Sequence, residues 1–204
     1  MIVNMKRISL LINVKYEDMD KKSLRKIIYA KRKDLSLSFL EDASEKIADS
    51  FEVVLKEKGV KSVLMYMALP GEVQTKELVE SLFRRGLQIW LPKVVGENLE
   101  IRAFEGMESL EKGSFGVYEP TGRLCADLSE IEMIVVPGVA FSVDGDRMGY
   151  GKGYYDRLLS QTNAIRVGFC FEFQFVENLP VEPHDKSMDI LLTENQVIVL
   201  SQYS

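Results

Sequence analysis

The chain has 204 residues, 46% of them hydrophobic, which suits one domain of ordinary size with a sizeable core. Its formal net charge of −5 gives no electrostatic footprint for nucleic acid, and no apolar run approaches the roughly 18 residues of a membrane span. Cys125 and Cys170 are too few for a disulfide framework and fit no metal-ligand spacing, so a reduced, cytoplasmic setting is expected.

At the N-terminus, Lys6 and Arg7 precede a short apolar stretch. Ser9 and Asn13 interrupt it and no small-residue cleavage site follows, so a signal peptide is rejected. Residues 1–18 are expected as an N-terminal extension, a short strand or a poorly ordered tail, with 19–204 forming a single α/β domain. From Asp20, a fair N-cap, Leu24, Ile27, Ile28 and Leu35 recur near helical spacing. Lys21, Lys22, Arg25, Lys26, Lys31, Arg32 and Lys33 make this helix strongly basic; alone, such a run reads as a solvated face.

A second helix is predicted from Ser38 to Lys58, with Gly59 as C-cap. Ser62 to Ala68 reads as a buried strand ended by Leu69-Pro70-Gly71. Thr75 to Arg85 reads as a helix, and Gln88 to Val95 as a strand broken by Pro92. This βαβ unit implies parallel strands and a right-handed crossover. Leu99 to Phe104 is a candidate strand outside the parallel core, and residues 105–123 read as loop. Ile131 to Val136, a glycine-rich loop, a helix from about Tyr154 and a strand from Ile165 to Cys170 make a second βαβ unit. Gln174 to Val176 is expected to open a short helix, and two short strands, Asp189 to Thr193 and Gln196 to Leu200, close the chain. The fold class is therefore α/β, a three-layer α/β/α arrangement with a mostly parallel central sheet. In such sheets ligands sit beyond the carboxyl ends of strands, the edge on which Glu72 and the glycine loop fall.

That loop lies within Pro137 to Leu159, PGVAFSVDGDRMGYGKGYYDRLL. Gly145, Gly149, Gly151 and Gly153 allow positive φ and let backbone N–H groups turn toward one point. Arg147 and Lys152 add cations, and a following helix adds its free N–H groups, so a polyphosphate is the natural guest. The spacing is neither a P-loop nor a dinucleotide fingerprint. An ordinary glycine-rich turn is the competing reading, against which the presence of Arg147, Lys152 and Asp156 together weighs.

This stretch resembles the signature of the 5-formyltetrahydrofolate cyclo-ligase family. So do Lys21-Lys22-Ser23-Leu24-Arg25, Gly71-Glu72-Val73-Gln74-Thr75, Leu91-Pro92-Lys93, Gly116-Val117-Tyr118-Glu119-Pro120, and Leu179-Pro180 through His184-Asp185, all in the family's order. Six blocks in register extend the likeness from about Lys21 to about Val197. Ser142 stands where the family pattern has an aspartate.

The resemblance implies an enzyme, an ATP- and magnesium-dependent ligase that converts 5-formyltetrahydrofolate to 5,10-methenyltetrahydrofolate, with ADP and phosphate released. A formamide oxygen is a poor leaving group, so ring closure onto N10 needs that oxygen phosphorylated first. It implies ATP contacts from Lys21, Lys22, Ser23, Leu24, Arg25, Arg147, Met148, Gly149, Tyr150, Gly151, Lys152, Gly153, Tyr154 and Tyr155. Folate contacts are implied for Met67, Glu72, Tyr150, Gly151, Lys152, Gly153 and Tyr154, and catalytic roles for Arg147, Lys152 and Tyr154. Asp156 and Asp185 are the implied Mg²⁺ ligands, with Asp189 a weaker third. The partners implied are ATP and a reduced folate, with no nucleic acid or membrane, in a monomer or weak dimer.

Plain structural roles compete with several of these. Asp156 also suits a helix start, Glu72 a helix cap, Met67 core packing, and Trp90 either core or pocket wall. His184, the only histidine, receives no role. Two other functional readings stand beside the ligase: a different small ATP-dependent kinase or ligase acting on a heteroaromatic substrate, and a non-catalytic nucleotide-binding module.

Overall fold

Capping side chains set where the first helices begin. The structure, a computed structural model, describes residues 19–113, 116–177, 179–180, 182 and 185–200, so the expectations for residues 1–18 and for His184 fall outside it. Asp20 starts α1 (Lys21–Lys33) by accepting from the Ser23 N–H at 2.7 Å. Ser36 does the same for α2 (Leu37–Lys58) through Phe39 N–H, and Gly59 ends that helix in the left-handed conformation at φ 66°.

After α2 come β1 (Ser62–Leu64), α3 (Lys76–Arg84), β2 (Gln88–Val95), β3 (Asn98–Ala103), β4 (Leu110–Lys112), β5 (Tyr118–Pro120) and β6 (Met133–Val136). The remainder is β7 (Ala140–Ser142), β8 (Arg147–Met148), α4 (Tyr154–Leu159), β9 (Ile165–Phe169), β10 (Phe175–Val176), β11 (Ile190–Leu192) and β12 (Val197–Val199). The main sheet runs β12-β11-β9-β6-β1-β2-β3. Its five inner strands are parallel, and β3 and β12 close the two edges antiparallel. The expected α/β class with a mostly parallel sheet is what forms.

The pleat sorts the core onto two faces. Val63, Ile89, Leu91, Met133, Val135, Val167 and Ile190 bury against α2 (Ile47, Phe51, Val54) and α3 (Leu78, Val79, Leu82). Leu64, Trp90, Ile134, Val136 and Leu191, with the opposite orientation, bury against α4 (Leu158, Leu159) and Phe141 and Phe175. The last two belong to a small three-stranded sheet, β10-β7-β8. Helix α1 packs there through Leu24 and Ile28, which meet Val139, Ala140, Met148 and Val176. Among the described residues no helix is long and apolar enough to cross a membrane.

Several sequence expectations need correction. The first strand stops at Leu64 instead of reaching Ala68, because the chain turns away: Thr75 Oγ1 donates to the Tyr66 carbonyl at 2.5 Å. Pro92 does not break β2. Ile89 O faces β3, accepting from Phe104 N–H, while Trp90 O faces β1, accepting from Met65 N–H. By alternation the Pro92 nitrogen faces the β1 side, past the end of that strand, where no ladder bond is lost. Residues 105–123 hold the antiparallel ribbon β4–β5, and the glycine-rich stretch holds the β7–β8 hairpin. Gln174 to Val176 opens no helix; a 3-10 turn at Glu172–Gln174 precedes β10. Helix α4 is short, six residues, so its dipole is a minor source of positive potential.

Candidate functional site

A cavity of about 760 Å³ opens where β1 and β6 end and along the second half of β2. Tyr66, Met67, Leu69 and Glu72 come from the segment after β1, and Pro92 and Val94 from β2. Residues 147–156 supply the facing wall, Lys21 and Arg25 of α1 reach in from the side, and Val117, Tyr118 and Glu119 of the β4–β5 ribbon complete the enclosure.

The glycine loop owes its shape to the hairpin before it. Val139 N–H bonds Met148 O at 2.7 Å and Ser142 N–H bonds Asp146 O at 2.9 Å. The buried Ser142 hydroxyl also accepts from Asp146 N–H at 3.1 Å, so serine does turn-holding work at the position where the family pattern has aspartate. Past the hairpin, Gly151 and Gly153 take φ of 90° and 66°, a region side chains resist. Gly149 does not have positive φ. A Cβ there would stand 2.6 Å from Arg147 Nη1, so its requirement is close approach.

Cations surround the loop. Arg25 donates through Nε to Gly149 O at 3.1 Å. Lys21 reaches Glu182 at 2.8 Å and Asp185 at 3.2 Å. Burial works against its charge, but the bonds to those carboxylates outweigh it and raise its pKa. Arg147 is almost fully buried, with Nη2 on Asp156 Oδ1 at 2.5 Å and Nη1 on Pro137 O at 3.3 Å. Its Nε has no hydrogen-bond partner among the described residues, nor does the buried Tyr155 hydroxyl.

Glu72 is 3% exposed and sits where this wall meets the other. Its Oε2 accepts from Leu69 N–H at 2.7 Å, and its Oε1 accepts the hydroxyl of Tyr150. Arg32 donates to the Tyr150 oxygen at 2.7 Å and lies 3.9 Å from Glu72 Oε1. Burial pushes the Glu72 carboxyl above its usual range, against the pull of Tyr150, Leu69 N–H and the Arg32 charge. The same burial and the nearby Glu72 charge push the Tyr150 phenol far up, so it stays a donor.

Of the residues expected to bind or react, Lys21, Arg25, Met67, Glu72, the run Arg147 to Asp156, and Asp185 all line this cavity. Tyr154 lines it, with its hydroxyl donating to Gly96 O at 3.2 Å. Lys22 and Ser23 are exposed outside it, with Ser23 serving the N-cap bond, and Leu24 is buried core. Trp90 is core too, its indole donating to Ser62 Oγ at 2.9 Å. Asp189 is held in a two-point bond with Arg166 and lies outside the cavity lining.

For a divalent ion the fit is partial but adequate. No cluster of three acidic, histidine or cysteine ligands exists among the described residues. Magnesium commonly takes one or two carboxylates and fills its shell with phosphate and water. Asp156 and Asp185 both face the cavity, and Asp156 Oδ2 makes no bond among the described residues.

Sequence reading missed Arg32, Tyr66, Glu182 and the Tyr118–Glu119 wall. Arg32 did carry a signal: with Leu24 and Ile28 it falls on one stripe at intervals of four, where the third member should be apolar. A charge on the buried stripe of a helix points inward to a partner.

A family model of the 5-formyltetrahydrofolate cyclo-ligase family matches residues 17–194. A probable 5-formyltetrahydrofolate cyclo-ligase of Schizosaccharomyces pombe is 31% identical over 88% of this chain and 98% of its own. The 5-formyltetrahydrofolate cyclo-ligase of Escherichia coli K12 is 31% identical over 67% of this chain and 79% of its own. Among solved structures, Aquifex aeolicus 5,10-methenyltetrahydrofolate synthetase is 35% identical with a TM-score of 0.82, covering 91% of this chain and 95% of that one. A 5,10-methenyltetrahydrofolate synthetase of Mycoplasma pneumoniae is 26% identical with a TM-score of 0.72, covering 86% and 99%.

Proposed function

This chain belongs to the 5-formyltetrahydrofolate cyclo-ligase family, and we propose that it closes 5-formyltetrahydrofolate to 5,10-methenyltetrahydrofolate with ATP converted to ADP and phosphate. One observation carries the reading: a buried carboxylate, Glu72, and a glycine loop flanked by Arg25, Arg147 and Lys152 face a single cavity. Its volume, about 760 Å³, lies in the range of small-molecule sites.

In this reading the amino-pyrimidine edge of the folate donates to Glu72, whose oxygens keep second acceptor sites beside Leu69 N–H and Tyr150. Met67 and Tyr154 flank the ring. The nucleotide phosphates lie on Gly149 to Gly153, with Lys21 and Arg25 over them. The formyl oxygen attacks the γ-phosphorus as ADP leaves, giving an imino-phosphate. N10 then attacks the activated carbon, and phosphate departs with the oxygen. Such transfer needs positioning and charge neutralisation more than covalent help. Arg147, oriented by Asp156 and Pro137 O, and the exposed Lys152 supply that charge, while Tyr154 stands at the reacting centre. A magnesium ion held by Asp156 and Asp185 would add neutralisation of the phosphate oxygens.

The experiment is to mix the protein with 5-formyltetrahydrofolate, ATP and magnesium and follow methenyl absorbance. ATP-dependent growth of that absorbance is expected. ATP binding without it, by folded protein, would mark a nucleotide-binding module; turnover of another heteroaromatic substrate only would mark a different ligase or kinase.

A further inference from the structure

Helix α1 is basic, yet one of its cations is unlike the rest. Arg32 is 8% exposed, whereas Lys22, Lys26 and Lys33 are exposed. Its Nη2 donates to Gly138 O at 2.6 Å and its Nη1 to the Tyr150 oxygen at 2.7 Å. Gly138 begins the stretch leading into the β7–β8 hairpin, and Tyr150 is in the glycine loop, so one guanidinium ties both ends of the phosphate-side element to α1. Through Tyr150 it reaches Glu72, the carboxylate on the folate side, and its own charge lies 3.9 Å from Glu72 Oε1.

A second, independent contact brings the Glu72 turn to the same place. Gly71 has φ 78°, and a Cβ there would stand 2.9 Å from Arg32 Cβ and 3.2 Å from Arg32 O. The turn is therefore packed directly onto this residue, with glycine permitting the approach. Arg32 itself does not line the cavity. It touches no position where substrate would lie; it touches the groups that do.

We infer that Arg32 is a positioning residue, which sets its guanidinium charge beside the Glu72 carboxylate and, through Tyr150 and Gly138, fixes the glycine loop in register with it. The inference rests on the reading of Glu72 and the loop as the two halves of one site. An arginine suits the task because its planar fork serves two acceptors at once while always keeping its charge. Glu72 is faced by Tyr150 and the glycine loop on one side, by Arg32 and Tyr29 of α1 on another, and by Tyr66 and Tyr155. Among the described residues, Arg32 is the cation whose charge acts on it at 3.9 Å.

The test is the pH dependence of kcat/KM for 5-formyltetrahydrofolate in the wild type, Arg32→Met and Arg32→Lys. A carboxylate that loses a cation at this range protonates more easily, so the acid limb should move up by about one pH unit in Arg32→Met. Arg32→Lys, which restores charge but not the fork, should return the limb toward wild type. Its folate KM should stay raised, roughly 10-fold, for the lost bonds to Gly138 and Tyr150. A merely structural arginine would lower activity at every pH and leave the limb in place. If Arg32→Met does not fold, Tyr150→Phe provides the second arm: in that background Arg32→Lys should add less than it does in the wild type, since the Tyr150 hydroxyl is gone and the Gly138 bond alone remains to be lost. An active wild type with unmoved limbs, or with fully additive effects of Tyr150→Phe and Arg32→Lys, overturns the inference alone. A wild type with no ATP-dependent turnover overturns the proposed function and this inference with it.

Discussion

Arg147 and Asp156 stand 2.5 Å apart as a bonded ion pair inside the cavity wall. The pair links β8 to the first turn of α4 across the glycine loop, so the loop is closed by a charge contact as well as by its backbone. One carboxylate thus orients the Arg147 guanidinium, and under the proposed function its other oxygen would be the one to hold a metal.

Asp156→Asn tests that double duty. The amide keeps the volume but removes the charge that orients Arg147 and would hold magnesium. Turnover should fall roughly 10- to 100-fold, the scale of one lost charge-assisted bond, with ATP affinity changing less. Added magnesium should recover part of the rate. Rates that match wild type at limiting magnesium would leave Asp156 as a helix-start residue only.

Two neighbouring glycines should fail in different ways. Gly151 has φ 90° with open space around it, the nearest atom being Arg25 Nη2 at 3.6 Å, so Gly151→Val imposes backbone strain rather than a clash. Nucleotide affinity should drop about 5- to 30-fold, the scale of one strained non-glycine residue. Gly149→Ala instead drives a methyl into Arg147, 2.6 Å away, and should lower kcat more than it changes the ATP constant. Steady-state constants for both substrates separate the cases. An unchanged nucleotide constant in folded Gly151→Val would reduce the loop to a turn.

Much of this arrangement was legible in the sequence because it follows from pattern. Apolar runs and helix signals gave the parallel sheet, and Asp20 and Gly59 marked helix ends that the structure keeps. What was illegible depends on tertiary partners. The run from Met65 to Ala68 is as apolar as a strand, but Thr75 takes the Tyr66 carbonyl and β1 ends early. Strands β4 and β5, three residues each, are too short to show alternation among Gly113, Gly116 and Pro120. Arg32 was lost among seven α1 cations because spacing alone did not weigh its place on the buried stripe. Glu72 and the glycine loop were both foreseen, but not the Tyr150 bond that joins them.

Residues 1–18 precede α1, whose N-cap is Asp20, and the family model begins at residue 17. A chain starting at Met19 should therefore keep the cavity and its turnover, with 19–204 acting as the whole catalytic domain. A truncated protein that folds but loses most of its rate would place part of the site in the extension.

The Tyr150–Glu72 bond changes what Glu72→Gln should do. A carboxylate facing an amino-pyrimidine accepts two charge-assisted bonds, and an amide can accept only one side of that pair. Folate KM should rise roughly 5- to 150-fold for one mismatched buried bond. Were Glu72 isolated from the loop, the ATP constant would hold still. Because Tyr150 donates to it, a smaller ATP effect, about 2- to 5-fold for one weakened neutral bond, is expected as well. Stability should move the other way. Burial raises the folded-state carboxyl pKa of Glu72 above its unfolded value, so the native protein binds the proton more tightly than the unfolded chain. Wild-type stability from this group is therefore present at low pH and is lost as pH rises through that raised range. Glu72→Gln removes the titration, and its denaturant midpoint should gain on wild type as pH is taken from about 4 to 8. A midpoint difference that is flat with pH would show that Leu69 N–H, Tyr150 and Arg32 fully offset the burial of the charge. Equal folate constants would remove Glu72 from the site.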